Sequence, residues 1–287
     1  MPERIPREPQ RIIVGFDGSE HAVAALTWAI AEARLRDARV VALAVFDEAP
    51  QMPKPQSLKP PPDVLGDLRA AVRAVAQDFP AIFRYGVGSP AATIVNECTA
   101  SDLLVVGSRG RNPFAGLLLG SVSRACLALA PCPVVVVRPS AVQRRPYGRI
   151  VTGVDASEPA QRGLRVAAEE TRLRGGVLRV IHVLPDSHGL QLAVAAGARP
   201  EALADEVRGD GALPANVADL EVPVESVVVG GHPGDVLVRE SEEADLLVLG
   251  SRGTSAVAGL LLGSTSDYCA RHAACPVMIV RSAGEEP

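Results

Sequence analysis

Apolar residues in this chain fall into two kinds of run. Short stretches such as Ile12–Ile13–Val14 and Val134–Val137 are apolar at every position, whereas in others, such as Val23, Leu26, Ile30 and Ala33, apolar residues recur at every third or fourth position. The first kind describes a strand covered on both faces; the second describes an amphipathic helix. In the first half this pattern predicts strands over 12–17, 40–46, 81–87, 102–107 and 133–138, and helices over 21–35, 63–78, 90–100 and 121–130. The second half repeats the alternation with IVTGVD, VLRVIHVL, EVPVESVVV, DLLVLG and PVMIVR. Such strands separated by helices predict an α/β fold with a parallel sheet flanked by helices, five strands to each half.

The halves are copies. Residues 102–123 and 245–266 agree at 16 of 22 positions at an offset of 143, and Cys126, Cys132 and Pro133 reappear as Cys269, Cys275 and Pro276. The first strand matches at an offset of 138, from Arg11–Asp17 to Arg149–Asp155, so five residues were gained within the second copy. A period this long is a domain rather than a solenoid unit. The expected layout is a tail over 1–10, a first domain over 11–138, a linker over 139–148 (PSAVQRRPYG) and a second domain over 149–282. Residues 49–62 are proline-dense and predict a surface excursion, and Gly209, Gly211 and Pro214 predict a shortened helix after Pro200.

Composition narrows the function. The 287 residues carry 33 acidic against 29 basic side chains, a formal net charge of -4, so no general field favours a phosphate backbone and nucleic acid is not an expected partner. MPERIPREPQ breaks any apolar leader and no 18-residue apolar run follows, so a cytoplasmic protein without membrane contact is expected. Lysine occurs only at 54 and 59, which removes the lysine that a Walker loop requires. GxGxxG is also absent after the first strand.

The chemistry concentrates after the fourth strand of each copy. Gly107-x-x-Gly110, nine residues, then Gly120-Ser121 recurs as Gly250-x-x-Gly253, nine residues, then Gly263-Ser264. Open α/β sheets place their ligand crevice at the carboxyl ends of the strands. Glycines there admit close backbone approach, and Ser121 and Ser264 stand where N-caps belong, opening helices whose first N–H groups are unpaired and attract an anion, commonly phosphate. Ordinary turn chemistry would use the same residues, and the identical spacing in two otherwise diverged copies favours a ligand. Leu117–Leu119 and Leu260–Leu262, inside the spacer, fit packing or an interface. Arg109 and Arg252 stand between the paired glycines, either reaching phosphate or solvated in a loop. Asp17 and Asp155 end the first strands in Asp-Gly-Ser and Asp-Ala-Ser, open to a nucleoside role or to turn chemistry, although Ser19 and Ser157 already supply N-caps.

The doubled glycine pattern, with a first strand ending in Asp and a Cys-Pro-Val final strand, resembles the ATP-binding class of universal stress proteins in tandem two-domain form, over nearly the whole chain. The resemblance implies a Rossmann-like, five-stranded sheet per domain, of the adenine nucleotide α-hydrolase type, with one adenine nucleotide in each. It places Asp17 and Asp155 beside the nucleoside. Gly107, Gly110, Gly120, Ser121, Val122 and Ser123 would receive phosphates in the first site, and Gly250, Gly253, Gly263, Ser264, Thr265 and Ser266 in the second. Val45 beside Ala44, and Val183 beside His182, would floor the adenine. It further implies ATP with Mg²⁺ as the cofactor, pairing of the domains through their final strands, and a regulatory stress-response role through an unnamed protein partner; a homodimer is also expected.

Catalysis is the weaker expectation. The five cysteines are odd in number and form no CxxC, fitting buried small hydrophobes rather than a metal site or disulfides. The five histidines are scattered, the SGGxDS signature of ATP pyrophosphatases is missing, and no second carboxylate joins either aspartate at an evident spacing. Binding with slow or absent hydrolysis is expected, against the alternatives of an ATPase or nucleotidyl transferase and of a scaffold with vestigial sites.

Overall fold

The computed structural model describes residues 11–47, 62–111, 118–155, 157–184, 220–253 and 262–281. The chain divides into two compact units, Met1–Gln143 and Arg144–Pro287. In the first, β1 (Arg11–Gly15), α1 (Glu20–Arg36), β2 (Arg39–Phe46), α2 (Pro62–Ala76), β3 (Ile82–Val87), α3 (Pro90–Glu97), β4 (Asp102–Gly107), α4 (Ser121–Leu129), β5 (Val134–Val137) and α5 (Pro139–Val142) follow one another. Its strands lie in the order β3-β2-β1-β4-β5, every neighbouring pair parallel. The second unit contains β6 (Arg149–Val154), α6 (Glu158–Arg174), β7 (Val177–Leu184), β8 (Val224–Gly230), α7 (Pro233–Glu240), a 3-10 turn (Ser241–Glu243), β9 (Leu246–Gly250), α8 (Ser264–His272) and β10 (Val277–Val280). Its order, β8-β7-β6-β9-β10, is the same and again parallel.

The uninterrupted apolar runs explain the sheet. Ile12, Ile13, Val14, Leu104 and Val105 have no exposed surface, and the same is true of Val151, Leu246 and Leu247, because helices cover both faces. The edge strand β3 is looser, with Ile82 and Tyr85 about two-fifths exposed. In each order the chain switches sides between the first strand and its neighbour, β1 against β4 and β6 against β9, which opens the crevice of this architecture at their carboxyl ends.

Helix α3 stops at Glu97, short of the expected residue 100. Asp102 is the cause: its carboxylate accepts the Thr99 N–H at 2.7 Å and the Thr99 hydroxyl at 2.8 Å, folding the chain into a turn. Residues 139–142, expected as linker, form the single turn α5. The proline-dense stretch through residue 61 and the region expected to hold the shortened helix after Pro200 lie outside the described residues.

Two buried polar groups generate predictions. Thr152 in β6 is fully buried and its hydroxyl has no hydrogen-bond partner among the described residues; the corresponding residue of β1 is Val14. Thr152→Val is expected to raise the thermal midpoint by roughly 2–4 °C in calorimetry, since a buried hydroxyl without a partner costs about 1 kcal/mol or more. Asp102 receives Arg11 through both carboxylate oxygens, at 2.9 and 2.7 Å. Burial alone would raise its pKa, but Arg11 and Thr99 together hold the carboxyl below its ordinary value. A depressed native pKa stabilises above the unfolded value of ~3.9 and ceases to do so as pH falls through the native value. Chemical denaturation should therefore find Asp102→Asn less stable than the parent at pH 7, with the gap closing towards pH 3.

Candidate functional site

The site begins with the turn after β1. Asp17 lies two residues beyond the strand, and its Oδ1 accepts the Ser19 N–H at 3.0 Å across Gly18, whose φ of 80° is readily adopted by glycine. Ser19 Oγ accepts the Ala22 N–H at 3.2 Å and caps α1. The other carboxylate oxygen of Asp17 accepts the Arg111 N–H at 2.9 Å, across 94 residues of sequence. Asp17 thus both shapes its own turn and fastens the loop after β4. Gly110 makes that approach possible, because a Cβ there would lie 2.9 Å from Asp17 Oδ2. The second copy repeats the arrangement: Asp155 Oδ1 accepts the Ser157 N–H at 3.0 Å, and a Cβ on Gly253 would meet Asp155 Oδ2 at 2.7 Å.

Gly120 turns the loop into α4. Its N–H donates to the Ser108 carbonyl at 2.8 Å, its backbone is extended (φ -71°, ψ 157°), and its carbonyl accepts the first bond of the helix from the Arg124 N–H at 3.0 Å. Gly263 does the same before α8, donating to Ser251 at 2.8 Å and accepting from Asp267 at 2.9 Å. The N-caps are therefore these glycines, and Ser121 and Ser264, expected to be caps, are the first helical residues. The correction has a physical meaning. A glycine cap has no side chain to accept the N–H groups of the first turn, so those of Ser121, Val122 and Ser123, and of Ser264, Thr265 and Ser266, have no partner within the helix. The hydroxyls of Ser123 and Ser266 are engaged elsewhere, donating to the Gly107 carbonyl at 2.6 Å and the Gly250 carbonyl at 2.7 Å. What these serines offer outward is main-chain N–H at the positive end of a helix dipole.

The glycines divide into two roles. A Cβ on Gly107 would lie 2.7 Å from the His21 carbonyl carbon and oxygen, and on Gly250 only 2.4 Å from those of Pro159. Their missing side chains make room for α1 and α6 against the sheet. A Cβ on Gly120, in contrast, would find its nearest neighbour at an ordinary 3.5 Å, while on Gly263 it would sit a tight 3.3 Å from the Arg252 Cα and the Ser251 carbonyl oxygen; the φ values, -71° and -68°, are open to any residue. At Gly120 neither backbone nor packing demands glycine, whereas a ligand seated on the helix start would.

Around this cradle, Arg109 is half-buried and its Nε has no hydrogen-bond partner among the described residues. Arg252 occupies the equivalent place, its carbonyl 3.4 Å from Ser157 Oγ. Val45 and Val183 are half-buried at the carboxyl ends of β2 and β7, next to the buried Ala44 and His182. The first turn of α4 contains no acidic residue; that of α8 contains Asp267, paired with Arg271. The spacer residues Leu118 and Leu262 are exposed and half-buried respectively while Leu119 is buried; 112–117 and 254–261 lie outside the described residues.

One contact was not visible in the sequence. Ser108 Oγ lies 2.9 Å from His21 Nδ1, and burial, followed by the nearby Arg109 charge, lowers the His21 pKa. Position 159 in the second copy is proline, so a search for features shared by both copies passes over the pair. The cysteines are all free and buried. Burial pushes Cys126, Cys269 and Cys275 each up to about 12. Among the described residues no three metal-ligating side chains converge, and no helix is long and apolar enough to cross a membrane.

Comparison with known proteins agrees with the fold. The model of the universal stress protein family matches twice, over residues 8–138 and 146–281. The chain belongs to the universal stress protein family. A universal stress protein of Mycobacterium tuberculosis is 30% identical over 291 residues, spanning 94% of this chain and 96% of that relative. Another, of Mycobacterium bovis, is 29% identical over 296 residues, spanning 96% and 98%. The crystal structure of a universal stress protein from Archaeoglobus fulgidus shares the fold with a TM-score of 0.66 and 22% identity, covering 96% of this chain and all of that one.

The two glycine roles predict opposite outcomes. Gly250→Ala should lower stability by about 1–3 kcal/mol in denaturant titration, the usual cost of overpacking, since it drives a methyl group into the α6 backbone. Gly120→Ala should leave the unfolding midpoint nearly unchanged.

Proposed function

We propose that each half of this universal stress protein binds one adenine nucleotide, ATP, and that occupancy biases a conformation or a partner interaction, with slow or no hydrolysis. The observation that carries this reading is the side-chain-free N-cap, present twice, at Gly120 and Gly263, which leaves a first turn of N–H groups without a side-chain cap at the strand ends, and at Gly120 the fold itself does not require the glycine. Phosphates would rest on the main chain of Ser121–Ser123 and of Ser264–Ser266, with Gly110 and Gly253 lining the approach. Arg109 would approach them from the loop, and its Nε gives a reason to expect an acceptor there. Arg252 would serve likewise in the second site.

Asp17 and Asp155 would receive the ribose hydroxyls. The bonds they accept from the Ser19 and Ser157 turns fix the carboxylates; each Asp17 oxygen accepts one N–H and keeps acceptor capacity, while Asp155 Oδ1 takes both the N–H and the hydroxyl of Ser157. Val45 and Val183 would form the floor beneath the base. Mg²⁺ fits this site as a companion of the phosphates, held largely by their oxygens and water, which is its usual manner of binding beside nucleotides. Both oxygens of Asp17 already accept main-chain N–H groups, which suits it to positioning rather than to activating water. Hence a protein that responds to nucleotide, rather than one that consumes it, is the better reading.

Isothermal titration with Mg-ATP should give two nucleotides per chain, and Gly120→Ala combined with Gly263→Ala should abolish the binding with an unchanged circular dichroism spectrum. Sustained ADP or AMP release faster than about one per second, the low end of ordinary turnover, would favour an enzyme instead. No binding to the parent chain would mark the sites as vestigial.

A further inference from the structure

The copies differ where the base would lie. At the 138-residue offset, Ala44 of β2 corresponds to His182 of β7, and both are buried, at 2% and 7% exposure. His182 Nδ1 is 3.2 Å from the Val154 carbonyl oxygen. A carbonyl can only accept, so Nδ1 carries the proton, and in the neutral ring Nε2 is left as a bare acceptor. Burial lowers the His182 pKa, against smaller opposing effects of that hydrogen bond and of Asp155, which keeps the ring neutral near pH 7. The contact with Val154 places the ring at the carboxyl end of β6, since Val154 is the last residue of that strand and Asp155 follows it. Among the described residues Nε2 has no hydrogen-bond partner.

We infer that His182 is a specificity-determining residue of the second site, its Nε2 accepting a hydrogen bond from an exocyclic amino group of the base, and that the first site, with Ala44 there, lacks this discrimination. The inference rests on the nucleotide reading above and adds to it a chemical difference between the two sites. Adenine presents an amino group at C6, a donor matched to a bare imidazole nitrogen. A 6-oxo purine presents lone pairs at the same place, which would face the lone pair of Nε2 and leave both groups without partners. Sites that pair a buried polar group with their substrate reject analogues lacking the matching group far more strongly than apolar sites reject a change of size. Hence the second site should hold adenine nucleotides in preference to hypoxanthine nucleotides, and the first should be more tolerant.

The test uses the full chain with one site disabled at a time. In Gly120→Val, which leaves the second site, calorimetric titration should show ATP binding about tenfold or more tighter than ITP, the ratio that one well-made hydrogen bond of about 1.4 kcal/mol supplies. Adding His182→Ala should bring that ratio to within about twofold, chiefly by weakening ATP. In Gly263→Val, which leaves the first site, the preference should be small and unaffected by His182→Ala. Ala44 shows that alanine is accommodated at this strand position in the other copy. His182→Asn offers a second variant, with an amide to donate to Val154 but no distal acceptor, and it should behave like His182→Ala. An ATP preference that persists in both His182 variants overturns this inference alone, while absence of binding by either nucleotide at either site overturns it together with the nucleotide reading.

Discussion

The hydrogen bond from the Gly120 N–H to the Ser108 carbonyl, and its copy from Gly263 to Ser251, both at 2.8 Å, decide where the site helices begin. Each draws the end of a long loop back onto the residue that leaves the sheet, so the helix starts beside the strand carbonyl of Gly107 or Gly250. Once there, Ser123 and Ser266 lock the first turn to those carbonyls. The loop closed this way also reaches the turn after β1, where Asp17 takes the Arg111 N–H. Three separate pieces of sequence thus converge, and among the described residues no side chain caps the helix start by a hydrogen bond. A substitution that moved the cap by one residue would bring a side chain to the start of that turn.

Most of the architecture was legible because it follows from local pattern. Fully apolar runs such as Val134–Val137 can only be strands covered on both faces, and the repeat from 102–123 to 245–266 announced two domains. The doubled glycine spacing singled out one loop in each half because glycine restrictions are imposed by the backbone, and both copies inherited the same backbone. Legibility failed where the cause lay far along the chain. Gly107 looks like a ligand glycine until α1 is seen resting on it, with the His21 carbonyl as the obstacle. The cap shifted from Ser121 to Gly120 because a carbonyl twelve residues earlier, at Ser108, captures the Gly120 amide. Composition around Ser121 gives no sign of this. The Ser108–His21 pair escaped for another reason: it belongs to one copy only.

Divergence between the copies is therefore informative. Residues that the backbone constrains are the same in both, as at Gly107 and Gly250 or Gly110 and Gly253. Differences gather on side chains around the crevice and beneath it. His21 corresponds to Pro159, Ala44 to His182, and Arg124 to Asp267 at the fourth position of the site helix. The last exchange places a carboxylate, paired with Arg271, near the positive end of α8 but not of α4, which reduces the attraction of that end for an anion. Duplication preserved the cradle and released its surroundings to vary.

The sealed cysteines carry a consequence of a different kind. Nucleophilic attack by sulfur requires the thiolate, and Cys126, Cys269 and Cys275, pushed to about 12 beneath their helices, remain protonated throughout the cellular range. Peroxides and electrophiles therefore meet an inert surface unless the sheet opens. The fold leaves these three thiols out of any direct answer to a changing redox environment, and alkylation of them in the intact protein becomes a clock for how often each half breathes.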